Sequence, residues 1–202
     1  MAKVTRYPRR LESNSMHHTE NESRNPPAVV LNRRIGNRWA LAVEFDGVPD
    51  RPRAWNDWWG SLWLWVGGQL VGNPPVTEML VVGLDALCEA AADDRTQASA
   101  MTIHVTAKHA LDAVMQARYG NDSPNGLGVA DDDLFALEIL PRRTGPFFEG
   151  WEAILLDQGA SERFIYRTDG GQIREAVWPK GTFSTVTRRA RNEFEEQARA
   201  LI

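Results

Sequence analysis

The chain has 202 residues, 43% of them hydrophobic and 25% charged, which is typical of a folded globular domain and excludes a largely disordered or collagen-like chain. Residues 1–34 carry seven basic and three acidic side chains, a net charge of +4, and the remaining residues carry 16 basic and 24 acidic ones, a net charge of −8. Binding to phosphates requires basic surface, so the acidic body argues against nucleic acid as a partner. It either favours a basic protein as partner or serves only to keep the domain in solution.

Residues 1–34 have few apolar side chains and no regular period, and we predict a flexible basic tail there, followed by one domain over residues 35–202. From Trp39 to Phe45, apolar residues alternate with others, as in a β-strand. The longest apolar run, Leu62 to Val66, is too short to cross a bilayer, so no membrane association is expected. A single cysteine, Cys88, cannot form an internal disulfide, which indicates a reducing compartment such as the cytoplasm.

Three tryptophans, Trp55, Trp58 and Trp59, lie in or beside a proline-containing loop. They either contact a partner or cover one end of the core. Ser61 to Val66 is apolar on both faces, which predicts a central strand covered on each side, and Gly67-Gly68 predicts a hairpin turn to a short return strand.

The remaining pattern predicts three helices and several strands. Helical spacing of apolar residues covers about Thr77–Ala92, a stretch capped by Thr106 that ends at Gly120, and a stretch after Pro179-Lys-Gly181. Strands are predicted at 101–105 and 134–140, and a meander at 151–156, 162–167 and 172–178. The fold class is therefore α+β: an antiparallel β-sheet with hairpins and a C-terminal meander, packed against about three α-helices.

Recognisable catalytic chemistry is missing from the sequence. His104 and His109 are five residues apart, which does not match the spacing of a zinc helix, and no phosphate loop or nucleophile elbow is present. The triplet Asp131, Asp132 and Asp133 matches a cation site, a solvated acidic loop or a contact for a basic partner. We predict no catalytic, metal-binding or cofactor-binding residues.

Two stretches of the sequence together match the pattern of one known protein family. The first is Trp59-Gly-Ser-Leu-Trp-Leu-Trp-Val-Gly-Gly-Gln-Leu-Val-Gly72, similar to an apolar strand, a Gly-Gly turn, a short return strand and then a leucine-bearing helix. The second is Arg163-Phe-Ile-Tyr166 followed by Trp178-Pro-Lys-Gly-Thr-Phe183, where Trp178, Lys180 and Thr182 replace the Leu, Arg and Glu of the family. Both stretches resemble the immunity protein 42 family of bacterial polymorphic-toxin systems, which include contact-dependent inhibition, and the resemblance extends over about residues 38 to 195.

The resemblance implies an antitoxin that binds a cognate toxin domain stoichiometrically and has no catalytic residues. We then expect an interface of standard size, about 1,600 Å² in total, with aromatic anchors in its centre and charges at its rim. The candidate anchors are Trp55, Trp58 and Trp59, and the candidate steering charges are Asp131, Asp132 and Asp133.

Two other interpretations stay open at this point. A small α+β enzyme or ligand-binding domain would place a Trp-lined pocket beside carboxylates or histidines with perturbed pKa values. A purely structural subunit would form homodimers or larger homo-oligomers through a flat, Trp-rich sheet.

Overall fold

The structure, a computed structural model, describes residues 31–49, 57–93, 99–100, 102, 104–120, 125–140, 144–168 and 171–201. Within these ranges the chain forms two antiparallel sheets and four α-helices, so the predicted α+β class is confirmed. The predicted single sheet is in fact two sheets, which share one core.

The first sheet has the order β1-β2-β3-β4, with β5 also paired to β3. Its strands are β1 (Leu31–Gly36), β2 (Leu41–Pro49), β3 (Trp58–Val66), β4 (Gln69–Val71) and β5 (Glu78–Met79). β3 is bordered by β2 on one side and by β4 and β5 on the other, which confirms that it is a central strand. The turn from β3 to β4 is Gly67-Gly68, and both residues have positive φ, as a type I′ hairpin requires.

The second sheet has the order β6-β7-β8-β9, and its last three strands form the predicted meander. Its strands are β6 (Glu138–Leu140), β7 (Trp151–Asp157), β8 (Ser161–Thr168) and β9 (Arg174–Pro179). A 3₁₀ helix, Gly145–Phe148, precedes β7 and packs against β3 of the first sheet. It links the two sheets.

The helices are α1 (Leu80–Ala92), α2 (Ala107–Tyr119), α3 (Asp131–Phe135) and α4 (Thr182–Ala200). The hydroxyl of Thr106 accepts the backbone N–H of His109, which confirms the predicted N-cap of α2. Glu162 of β8 caps α4 from the second sheet, because its carboxylate accepts the backbone N–H groups of Gly181, at 2.9 Å, and Phe183, at 3.1 Å. The same carboxylate accepts the indole N–H of Trp178 at 3.0 Å, so Glu162 holds together the end of β9 and the start of α4.

Two apolar clusters hold these layers together. In the larger one, the inner face of the first sheet and one face of the second sheet pack with α1 and α4, around residues such as Phe45, Phe164 and Phe194. In the smaller one, Ile154, Leu156 and Ile165 on the other face of the second sheet pack against α2 and α3. The second sheet is therefore covered on both faces.

Three local predictions are wrong. Residues 31–34, assigned to the tail, belong to β1, because pairing with β2 places Leu31 and Ile35 in the core; the tail up to residue 30 lies outside the described residues. Asp131–Phe135 is a short helix rather than loop and strand, since three carboxylates in a first turn favour a helix N-terminus and Leu134 is buried on it. In the predicted strand 101–105, Thr102 is helical and His104 lies in a turn.

Candidate functional site

Alternation along the strands gives the first sheet an outer face, directed away from the core. The register places these side chains on it: Asn32 and Arg34 of β1, Ala42, Glu44, Asp46 and Val48 of β2, Trp59, Ser61, Trp63 and Trp65 of β3, and Leu70 of β4. From Trp59 to Trp65 this face is roughly 20 Å long, at about 3.4 Å per residue. We call it the outer face.

A stack of tryptophan and arginine side chains occupies one end of the outer face. The guanidinium of Arg38 lies 4.5 Å from the ring centre of Trp65 and 5.1 Å from that of Trp39, and the guanidinium of Arg34 lies 5.6 Å from that of Trp65. Trp39 rests on the hairpin turn, where a Cβ on Gly68 would come within 2.6 Å of its ring. The turn therefore needs glycine both for its positive φ and for space under Trp39.

Glu44 ties the stack to the middle of the outer face. Its carboxylate accepts the Nε–H of Arg34 at 2.6 Å and the indole N–H of Trp65 at 2.5 Å. Partial burial alone would raise the pKa of Glu44, but these two donors outweigh it and hold the pKa below the ordinary value for glutamate. The negative charge of Glu44 is thus balanced by Arg34, and the two hydrogen bonds hold its carboxylate in one position.

Asp46, two residues further along β2, lacks such a basic partner within the described part of the chain. Its Oδ1 accepts the backbone N–H of Ser61 at 3.1 Å. In the register, the residue of β1 opposite Glu44 is Arg34, but the residue opposite Asp46 is Asn32, which carries no charge. The outer face therefore presents one carboxylate whose charge no cation of the described chain balances.

Four large apolar side chains of this region are exposed. Trp39 is 71% exposed and Val48 42%, and Trp59 and Leu70 are 37% and 36% exposed. Val48 lies opposite Trp59 in the β2–β3 pair, and Leu70 lies opposite Trp65 in the β3–β4 pair. Exposed aromatic residues beside fixed arginines and a carboxylate have the composition of the centre of a protein–protein interface.

The residues proposed from the sequence do not form one site. Trp55 lies outside the described residues. Trp58 is wholly buried in the main core, so its proposed role as an exposed anchor is wrong, whereas Trp59 is partly exposed on the outer face. Asp131, Asp132 and Asp133 lie in α3, which packs on the second sheet, and Asp131 accepts a hydrogen bond from the side-chain amide of Asn125 at 2.8 Å.

Arg38, Trp39 and Asp46 were not predicted as members of one surface. Strand alternation, continued back from Leu62 to Trp58, would have placed Trp58 inside and Trp59 outside. Alternation along β2 would likewise have placed Asp46 beside the tryptophans. The position of Trp39 depends on the turn that packs it over Gly68, which a sequence period does not show.

The depressions on the surface also bear on the enzyme interpretation. A polar groove of about 540 Å³ lies along α2 and contains His109 and Asp112. Asp112 is already paired with Lys108, at 2.5 Å, and with Arg167, at 2.8 Å. Although burial opposes it, this pairing lowers the pKa of Asp112, which keeps the group ionised rather than available as a proton donor near neutral pH.

Two further kinds of feature are absent from the described residues. No group of three or more His, Cys, Asp and Glu side chains in this part of the chain is arranged to hold a metal ion. None of the helices described here is long and apolar enough to cross a membrane.

Comparison with known proteins gives one similar solved structure and one family. The crystal structure of CdiI from Burkholderia dolosa AUO158 has a TM-score of 0.59 and 19% sequence identity, covering 80% of this chain and 99% of the other, which supports the fold. No curated protein matches the chain. The family model for Immunity protein 42 matches residues 33–193, well over half of the chain. The chain belongs to the Immunity protein 42 family and is an immunity protein, which neutralises a toxin.

Proposed function

We propose that this immunity protein neutralises its cognate toxin domain by stoichiometric, non-catalytic contact through the outer face of the first sheet. The observation that carries the proposal is the coincidence, on one face, of exposed Trp39 and Trp59 with the fixed Arg38 and the unbalanced carboxylate of Asp46. Tryptophan and arginine dominate the binding energy of protein interfaces.

The apolar part of the binding energy would come from both ends of the outer face. Val48 and Trp59 form one exposed pair, and Trp39 and Leu70 lie at the other end, roughly 20 Å away. Each tryptophan in a central, desolvated position contributes on the order of 2 kcal/mol or more. Two separated anchors resist rotation of the partner better than one, because each end restrains the other.

Charge would set the orientation of the toxin between these anchors. Asp46 offers a carboxylate to a lysine or arginine of the toxin. Asn32 lies opposite Asp46, as Arg34 lies opposite Glu44, and because Asn32 is short and uncharged it leaves room for the toxin's cation. Asp131, Asp132 and Asp133 would act from a distance, by speeding the encounter with a basic partner. The single cysteine fits a protein that acts in the reducing cytoplasm.

The test is co-expression with the cognate toxin domain, followed by co-purification, measurement of the complex mass and a growth-protection assay. We expect a complex with one copy of each chain and rescue of growth. A protein that does not bind the toxin, or that forms a homodimer through the outer face and binds nothing else, would overturn the proposal.

Two exposed valines give a matched test of the face itself. Val48 is 42% exposed on the outer face, and Val177 is 58% exposed on β9 of the second sheet. Val48→Ser should weaken toxin binding by about 1 kcal/mol, since it removes apolar contact area, whereas Val177→Ser should leave binding unchanged. Equal effects of the two substitutions would assign the toxin to another surface.

A further inference from the structure

A small cavity lies at the seam between the two sheets, beside the outer face. Its volume is about 190 Å³, and its walls come from β4 and from the end of the second sheet. We call it the seam notch and define it by Gln69, Leu70, Trp151, Tyr166 and Arg174, with Thr168, Gln172 and Arg167 at its borders. Leu70 belongs to both the outer face and the notch, so the two surfaces are continuous.

The aromatic wall of the seam notch is fixed in place. Trp151 and Tyr166 stack with ring centres 6.5 Å apart. The indole N–H of Trp151 donates to the side-chain oxygen of Asn73 at 3.0 Å, and the Tyr166 hydroxyl lies 3.5 Å from the carbonyl oxygen of Val66. A wall that is already ordered costs little entropy when a ligand group enters.

The two arginines of the notch differ in their charge balance. Arg167 is paired with Glu152 at 2.5 Å and with Asp112 at 2.8 Å, so its charge is neutralised. Arg174 is exposed and donates to the neutral amide oxygen of Gln69 across the seam. Within the described residues it has no carboxylate partner. A guanidinium has five N–H donors, and this one is held in position by an amide that does not cancel its charge.

The size of the notch decides what can enter it. Pockets for cofactors and drug-sized ligands measure roughly 300–1,000 Å³, so a cavity of about 190 Å³ is too small for them and has room for a single side chain. Among the residues that the structure describes, its polar lining consists of the unbalanced Arg174, the paired Arg167 and amide and hydroxyl groups, with no carboxylate. Such a lining accepts an anion that is short and planar.

We propose that the seam notch receives an aspartate or glutamate side chain of the toxin, with its carboxylate on the Arg174 guanidinium and its methylene groups on the Trp151–Tyr166 wall. This inference rests on the proposed function, because it takes the toxin as the partner. Together with Asp46, which offers the opposite charge on the outer face, Arg174 gives the interface two sites of opposite sign. A toxin rotated by half a turn would place like charges together at both, which fixes a single orientation.

The experiment compares Arg174→Gln with Arg163→Gln by measuring association and dissociation rates with the co-purified toxin. Arg163 lies on the same sheet, pairs with Glu175 at 2.6 Å and does not line the notch, so its substitution removes an equal charge elsewhere. We expect Arg174→Gln to weaken binding roughly thirty-fold, mainly through faster dissociation, because truncating one partner of a desolvated charge pair acts on the dissociation rate. Arg163→Gln should change it less than about two-fold.

A double-mutant cycle identifies the acidic residue. Each surface Asp or Glu of the toxin is changed to Asn or Gln, and one such change should match the loss from Arg174→Gln and add nothing to it in the combined pair. Arg174→Lys, which retains the charge, should give an intermediate loss, and the melting temperatures report that each variant is folded. Wild-type affinity of Arg174→Gln, or fully additive losses with every acidic residue, would overturn the inference. A toxin that does not bind the wild-type protein would instead overturn the proposed function.

Discussion

The two sheets differ in what covers the face turned away from the main core. In the second sheet, Ile154, Leu156 and Ile165 on that face pack against α2 and α3. None of the four described helices packs on the corresponding outer face of the first sheet. The first sheet instead covers much of that face with its own side chains, in the Arg38–Trp65–Arg34 stack and the Glu44 ion pair. The second sheet is thus covered on both faces. On the outer face of the first sheet, Ala42, Ser61 and Trp63 in the middle are buried, and Trp39, Val48, Trp59 and Leu70 remain exposed around them.

Under the proposed function, this difference separates stability from binding within one small domain. Substitutions on the inner faces should act on the free energy of unfolding, and substitutions of exposed apolar residues on the outer face should act mainly on affinity for the toxin.

The sharpest comparison uses two adjacent tryptophans. Trp58 is wholly buried and Trp59 is 37% exposed, because consecutive residues of β3 point to opposite faces. Trp58→Ala should lower the free energy of unfolding by about 3–5 kcal/mol, as for other large core aromatics. Trp59→Ala should lower it by less than about 1 kcal/mol but weaken toxin binding by about 2 kcal/mol, roughly thirty-fold in Kd. Urea denaturation and binding kinetics measure both quantities, and similar stability losses for both variants would refute the assignment of faces.

The second prediction concerns the cap that the second sheet supplies to α4. Glu162→Ala should destabilise the protein by about 3 kcal/mol, since three donors, the indole of Trp178 and two backbone N–H groups, lose their acceptor. Glu175→Ala on the adjacent strand is the control, because Glu175 forms an exposed ion pair with Arg163 and its loss should cost under about 0.5 kcal/mol. If thermal melting gives the same shift for both, the cap does not have the role assigned to it.

The third prediction follows from the lowered pKa of Glu44. A carboxylate whose pKa is lower in the folded than in the unfolded state binds protons more tightly when unfolded, so it stabilises the fold above its unfolded pKa. That contribution is lost as the pH falls from about 4.3 through the lowered folded pKa of Glu44. Glu44→Gln should therefore reduce stability at pH 7 but show a shallower loss between about pH 5 and pH 3. Denaturation midpoints across this range measure it, and parallel curves for variant and wild type would contradict the prediction.

The smallest effect is expected for the acidic turn of α3. Changing Asp131, Asp132 and Asp133 together to Asn should slow association with a basic toxin several-fold and flatten its dependence on salt, with the dissociation rate unchanged. The control variant carries Glu89→Gln, Glu149→Gln and Glu196→Gln, three exposed acids from other parts of the surface. Equal slowing by both variants would mean that only the net charge of the protein affects the association rate. No slowing by either variant would contradict electrostatic steering.

The sequence allowed prediction of those elements whose own residues dictate them. β3 has apolar residues on both faces, Gly67-Gly68 has few alternatives to a hairpin turn, and α4 carries apolar residues at helical spacing with Phe183 and Phe194 buried on it. β1 could not be found in this way, because only Leu31 and Ile35 of its six residues are buried, and pairing with β2 makes it a strand.

The candidate site was less accessible from the sequence because it depends on pairing between strands. Asp46 is notable only because Asn32, not a basic residue, lies opposite it, and Arg174 only because β4 brings Gln69 to it. Trp58 and Trp59 were grouped together because the predicted strand began at Ser61, three residues late. A shift of this size at the edge of a strand is enough to assign a core residue to the exposed face.

The carboxylate of Glu162 has a consequence for how the molecule opens. It attaches α4 to the second sheet through hydrogen bonds, and α4 in turn packs its apolar stripe over β1 and β2 of the first sheet. The helix α4 therefore connects the two sheets. Exposing the inner face of the first sheet requires α4 to separate from the second sheet as well. In hydrogen-exchange experiments, the amides of β2 and β8 should gain and lose protection together, as parts of one cooperative unit.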